Sequence, residues 1–194
     1  MRLSAGEKRK QQILLATLEV IADQGVDAVT HRSVGRQAGL SNGVVSYHFP
    51  TRDSLIFKSF EYYFGSFEDL LTKAGWKPEE KMANHQIIDI LTAVIAEELI
   101  SAKITLVEQE LILVAARKPE LAAIYREWEK NGLEIFAAGL KQSGFEKPMR
   151  IAKLIINIIR GFLLESLTDP TLTKKNFKER ISVLITSLSS QKSE

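Results

Sequence analysis

Apolar residues recur at helical spacing along almost the whole chain, and that feature excludes most folds. Ile13, Leu14, Thr17, Leu18 and Ile21 form one stripe; Ile56, Phe57, Phe60, Tyr63, Phe64, Phe67, Leu70 and Leu71 form a second. Phe177, Ile181, Leu184, Ile185 and Leu188 form another near the end. The alternation of a half-buried strand is nearly absent. Gly25, Gly39, Pro50, Gly75, Pro78 and the pair Asp169-Pro170 punctuate the stripes where helices stop. The pattern predicts an all-α chain of about nine helices, near 6–24, 30–38, 41–48, 51–73, 80–100, 103–117, 119–141, 148–168 and 173–189.

At 194 residues the chain suffices for one large domain or two small ones, and 45% hydrophobic with 26% charged residues is ordinary globular composition. Cysteine is absent, which excludes disulfides and thiolate chemistry. The first dozen residues hold no apolar stretch suited to a signal peptide. The greasiest run, 151–167, is interrupted by Lys153, Asn157, Arg160 and Glu165, too polar for a bilayer. A cytoplasmic protein with no membrane partner is expected.

Enzymatic chemistry has little to stand on. His31, His48 and His85 are the three histidines, and none falls in a metal-binding spacing. There is no phosphate-binding glycine loop and no paired general acid and base. No catalytic residue, metal or cofactor is expected. Charge points elsewhere: residues 1–60 hold eight Lys or Arg against five Asp or Glu, whereas 61–194 hold eighteen against nineteen. A positive bias at one end permits contact with a polyanion.

Two short helices joined at Gly39 meet the requirements of a helix-turn-helix. Gly39 supplies the positive φ of the turn, and Gly35 and Ala38 are small enough for close crossing. Val34, Leu40 and Val45 are spaced to bury the inside of the corner. The leading end of the second helix, Ser41 to Val44, is then free to enter a major groove.

The run AGLSNGVVSYHFPTRDSL, preceded by THRSVGRQ, resembles the DNA-binding segment of the TetR family of transcriptional regulators. The match lies in Gly39, Ser41, Gly43, the cluster Tyr47-His48-Phe49, the break at Pro50, and Arg52 with Asp53 opening a long helix. It covers about residues 7–67, and RGFLLESLTDP resembles the family's penultimate helix. Two positions depart from the family: Ser46 stands where many members carry tyrosine, and Gly35 where alanine is usual. The resemblance implies that Thr30, His31 and Arg32 hold phosphates on one side and Tyr47, His48, Thr51 and Arg52 on the other. Ser41, Asn42, Gly43, Val44 and Ser46 would face the bases, and Lys8, Arg9 and Lys10 would reach the backbone from a mobile arm. Thr30, Ser41 and Thr51 serve equally well as helix caps, and His48 as packing in the corner.

The resemblance divides the chain into a DNA-binding domain at 1–55, with its motif at 31–50, and a ligand-binding and dimerisation domain at 56–194. It implies a small-molecule effector, apolar or aromatic, held by Phe60, Phe64, Phe67, Leu91, Ile95, Val107, Glu108, Leu111, Tyr125 and Trp128. Glu108 falls inside an apolar arc, where a carboxylate is costly unless paired or near water. It is either an anchor in the cavity or one half of an ion pair. The eighth helix is apolar around most of its circumference, which suits a helix packed both inward and against a partner. The resemblance assigns the dimer interface to Ile155, Ile158, Ile159, Phe162 and Leu163 with Ile181, Leu184, Ile185 and Leu188. A homodimeric repressor on a near-palindromic operator is the expected function. An activator of the same fold and a helical protein-interaction module are the alternatives.

Overall fold

A computed structural model describes residues 4–64, 71–99 and 102–189. These form nine α-helices: α1 Ala5–Gln24, α2 His31–Ala38, α3 Asn42–His48, α4 Arg52–Phe64, α5 Asn84–Leu99, α6 Ala102–Arg117, α7 Pro119–Gln142, α8 Pro148–Ser166 and α9 Lys174–Ser189. A 3-10 turn, Val26–Ala28, links α1 to α2. No strand occurs among the described residues. The predicted boundaries hold to within a few residues where the described residues test them; the predicted fourth helix, 51–73, is described to Phe64, and its continuation through 65–70 lies outside the described residues. The largest difference is α5, which starts at Asn84, where the Gln86 amide oxygen accepts from the Ala83 N–H at 2.8 Å.

The chain divides into two compact units, Met1–Gly65 with Leu106–Arg126, and Ser66–Thr105 with Glu127–Glu194. In the first, Ile13, Val20 and Ile21 of α1 are buried with Val29, Val34, Val45, Leu55, Ile56 and Phe60. Residues of α6 and the start of α7 join this unit through Val107, Leu111, Val114 and Leu121, all buried. Two polar links fix them there. The Glu110 carboxylate accepts from the Val26 N–H at 3.3 Å, and the Lys118 ammonium binds Asp53 at 2.8 Å. The hydrogen bond and charge of Lys118 hold the Asp53 carboxyl below its ordinary range.

In the second unit the buried Trp76 indole packs directly against Gly139. A Cβ there would approach the ring to 2.5 Å. Phe136 stacks beside it at 4.3 Å. α9 lies along α5, and Phe177, Ile181 and Ile185 are fully buried in the same core as Ile155, Phe162 and Leu163 of α8. Glu129 of α7 receives both Lys153 at 2.8 Å and Arg160 at 2.7 Å. Burial pushes its carboxyl up, but the two cations more than offset that and hold it low.

Candidate nucleic-acid interface

Each helix of the corner carries its own start and stop. Thr30 caps α2 by accepting from the Ser33 N–H at 3.0 Å, while the Ser33 hydroxyl accepts from the Thr30 N–H at 2.9 Å. The same reciprocal box opens α4, between Thr51 and Ser54, at 3.0 and 3.2 Å. Ser41 caps α3. α2 ends in a Schellman turn: Gly39 is left-handed at φ 66°, and the Leu40 N–H reaches back to the Gly35 carbonyl at 2.8 Å. That return brings the Leu40 carbonyl against α2. A Cβ on Gly35 would stand 2.8 Å from it, so the glycine in place of the family's alanine is a requirement of this corner. Val34 and Val45 fill the inside as expected, each fully buried.

Two residues expected at phosphates are committed elsewhere. The Arg52 guanidinium donates from Nε to the Val29 carbonyl and from Nη2 to the Val26 carbonyl, both at 2.9 Å, with Asp27 at 3.5 Å. It ties the start of α4 to the 3-10 turn, with the side chain still 40% exposed. His31 Nε2 lies 2.7 Å from the Phe49 carbonyl and fastens α2 to the end of α3. Thr30 and Thr51 are caps, and both are exposed. The mobile arm is corrected: Ser4 and Glu7 form a capping box, so Lys8, Arg9 and Lys10 stand within the exposed first turns of α1.

What remains on the outer side of the corner is bare. Ser41, Asn42, Gly43, Ser46 and Tyr47 are exposed, Val44 and His48 are half-buried, and Arg32 is exposed on α2. Tyr47 is 82% exposed, an extreme value for an aromatic residue, and meets His48 edge-on at 5.1 Å. The Ser46 hydroxyl bonds the Gly43 carbonyl at 3.2 Å, and Asn42 Oδ1 sits beside Gly35. Gly43 has no internal reason to be glycine. A Cβ there meets only the Ser41 hydroxyl, at 3.9 Å. An open groove of about 750 Å³ runs along this surface, walled on one side by Ala5, Gly6 and Arg9 and on the other by Gly39 to Ser41, Gly43, Val44, Tyr47 and His48. The α1 wall was missed in the sequence. Its signals were the box Ser4-x-x-Glu7 and a glycine just inside the helix it starts.

The comparisons with known proteins bear on this geometry. The family described as "Bacterial regulatory proteins, tetR family" matches residues 13–59, and "Tetracyclin repressor-like, C-terminal domain" matches residues 82–189. The chain belongs to the TetR family. It is a transcriptional regulator with a DNA-binding helix-turn-helix, not an enzyme. The HTH-type transcriptional regulator CymR of Pseudomonas putida is 26% identical over 167 residues, 80% of this chain and 78% of that protein. PksA of Bacillus subtilis is 40% identical over 50 residues, which span only 24% of PksA and 26% of this chain. A transcriptional regulator of Pseudomonas aeruginosa PAO1 shares the fold, with a TM-score of 0.81 at 18% identity over 98% of this chain and 94% of that one.

The C-terminal residues fall into two groups. Phe60, Val107, Leu111 and Glu108 are buried in the first unit, and Tyr125 meets Phe60 edge-on at 6.3 Å. Leu91 and Ile95 are buried in the second unit, and Trp128 there is half-buried. Phe67 and the side chain of Phe64 lie outside the described residues. Of the expected dimer contacts, Ile155, Phe162, Leu163, Ile181 and Ile185 are sealed inside the protomer, so they have no surface to offer a partner. Ile158, Ile159, Leu184 and Leu188 are partly buried. Leu154, Leu164 and Val183 are exposed instead. Among the described residues no helix is long and apolar enough to cross a membrane, and no group of acidic, His or Cys residues is arranged for a metal.

Proposed function

We propose that the chain is a cytoplasmic repressor that binds a near-palindromic operator as a homodimer and is released by an apolar or aromatic small molecule. The observation that carries this is the bare outer side of α3: caps and valines satisfy its inner side, while Ser41, Asn42, Gly43, Ser46 and Tyr47 have surface to spare. With few long donors on that surface, part of the specificity comes from apolar contact and DNA shape. Two such helices on a twofold axis meet successive major-groove turns about 34 Å apart.

The dimer surface is the outward face of α8, where Leu154, Ile158 and Leu164 surround Gly161, a glycine with open space above it. Val183 of α9, 69% exposed, extends the apolar surface offered to the partner. The effector acts on α4, α6 and the first turns of α7, where Phe60, Val107, Glu108, Leu111 and Tyr125 gather. Those elements hold the DNA-binding helices through Glu110 on Val26 and Lys118 on Asp53. A ligand that favours one arrangement of α4 and α6 therefore shifts the population of corners fit for the operator.

Electrophoretic shift of fragments from upstream of the chain's own gene tests the reading. The expected result is a salt-sensitive complex of two protomers on a palindromic fragment, abolished on adding effector. Leu164→Glu is expected to give a monomer in sedimentation and to weaken operator binding at least tenfold. Absence of salt-sensitive binding to every such fragment refutes the reading.

A further inference from the structure

α8 carries its charges against its own dipole. Arg150 stands in the first turn, where there is no acidic residue, and Glu165 in the last, where there is no basic one. An isolated helix prefers the reverse. Arg180 of α9 answers Glu165, and Glu129 of α7 answers both Lys153 and Arg160. Arg150 is exposed and meets no carboxylate among the described residues. Midway between the two ends lies Asn157, exposed and with no side-chain partner among the described residues. At helical spacing its neighbours on that side are Leu154, Gly161 and Leu164, all exposed. The face that α8 turns outward is thus an apolar surface with a single amide at its centre and an unanswered cation at one end.

We infer that Asn157 lies on the twofold axis of the homodimer, its amide paired with the partner's Asn157, and that Arg150 meets the partner's Glu165 across antiparallel α8 helices. The inference rests on the homodimer reading and deepens it by stating what the surface selects: a second copy of this chain in one register, not any apolar face. A twofold contact sets each residue against its own copy or into a reciprocal pair. Parallel α8 helices would oppose like charges at both ends, whereas antiparallel ones oppose unlike charges. Seven residues separate Arg150 from Asn157 and eight separate Asn157 from Glu165. Those spans are about 10.5 and 12 Å of helix, so an axis through Asn157 brings the two charges level to within about 1.5 Å. A carboxamide both donates and accepts, so two of them satisfy each other. A lone asparagine in an apolar seam gives up affinity but fixes the register, because any other alignment buries an amide without a partner. Gly161, where a Cβ would meet nothing within 4 Å, leaves room for the second helix to come close. Asn157 and Arg150 are therefore specificity-determining residues of the dimer.

The test uses the full chain, which has no cysteine, so a single introduced thiol reports its own neighbours. Under mild oxidation Asn157→Cys is expected to give a disulfide-linked dimer, because a residue on the axis faces its own copy within the reach of an S–S bond. Lys141→Cys, exposed at the end of α7, is expected to stay unlinked at the same concentration. Arg150→Glu and Glu165→Arg are each expected to weaken self-association roughly tenfold in sedimentation, since each places like charges in contact twice per dimer. Their equimolar mixture is expected to restore a dimer holding one chain of each kind, read by native mass. A dimeric unmodified chain whose Asn157→Cys variant links no faster than Lys141→Cys overturns the inference alone. So do two charge variants that dimerise as tightly as the unmodified chain, or that stay apart when mixed. An unmodified chain that is monomeric at every concentration overturns the homodimer reading and this inference together. If Glu165→Arg does not fold, having lost its bond to Arg180, the cross-linking of Asn157→Cys decides.

Discussion

Gly35 and Gly43 sit on opposite sides of the same corner, and their surroundings could hardly differ more. A Cβ on Gly35 would strike the Leu40 carbonyl at 2.8 Å, with Asn42 Oδ1 at 3.2 Å and Val45 Cγ2 at 3.6 Å. A Cβ on Gly43 would stand in the open. The first glycine is explained by the protein itself, the second only by something outside it. The same division holds for the cations. Arg52 is spent on backbone carbonyls within the corner, while Arg9 and Arg32 face outward. Internal necessity and external contact are thus separated by whether a group points into the corner or out from it.

The sharpest way to break the comparison is Gly35→Ala. The clash is with backbone, held by the Leu40-to-Gly35 hydrogen bond, so it cannot be relieved by a side-chain rotation. Overpacking of this kind costs about 1–3 kcal/mol, against a helix-propensity gain of at most about 1 kcal/mol. A net loss of stability in thermal or urea unfolding is expected, with DNA binding weakened because the corner is displaced. Arg52→Ala comes next. Losing two charged hydrogen bonds to carbonyls is expected to cost on the order of 1–3 kcal/mol, moderated by the partial exposure of the side chain. The salt slope of DNA binding is expected to stay as it is. A flattened slope with unchanged stability would return Arg52 to the phosphate set.

Much of the corner was legible because its signals are local. Thr30, Ser41 and Thr51 as caps, Gly39 as the turn and Pro50 as the break are features whose chemistry acts within four residues. Val34 and Val45 followed from spacing alone. The partners of Arg52 and His31 did not, because they are backbone carbonyls, which carry no residue-type signature. For the same reason nothing in the sequence joined residues 106–126 to the N-terminal helices: Glu110 finds an N–H 84 positions away. α8 failed differently. A helix apolar around most of its circumference has no phase by which periodicity can tell core from interface. Hence Ile155, Phe162 and Leu163 were placed at a partner, while Leu154 and Leu164 hold the outward face.

Gly43→Ala is the smallest perturbation and the one that separates the two sides of the corner most cleanly. The added methyl meets no backbone, and the residue already has helical geometry, so the free protein is expected to gain about 0.4–1 kcal/mol from the reduced freedom of its unfolded chain. The same methyl projects from the bare face of α3 into the space the duplex would occupy. Operator affinity is therefore expected to fall even as the melting temperature rises, opposite in sign to a merely structural glycine. Gly35→Ala lowers both quantities together, and Gly43→Ala drives them apart. A Gly43→Ala protein that is more stable and binds its operator as tightly as before would show that this face of α3 does not approach DNA closely. The tightest contact would then have to come from Tyr47 and the end of the helix.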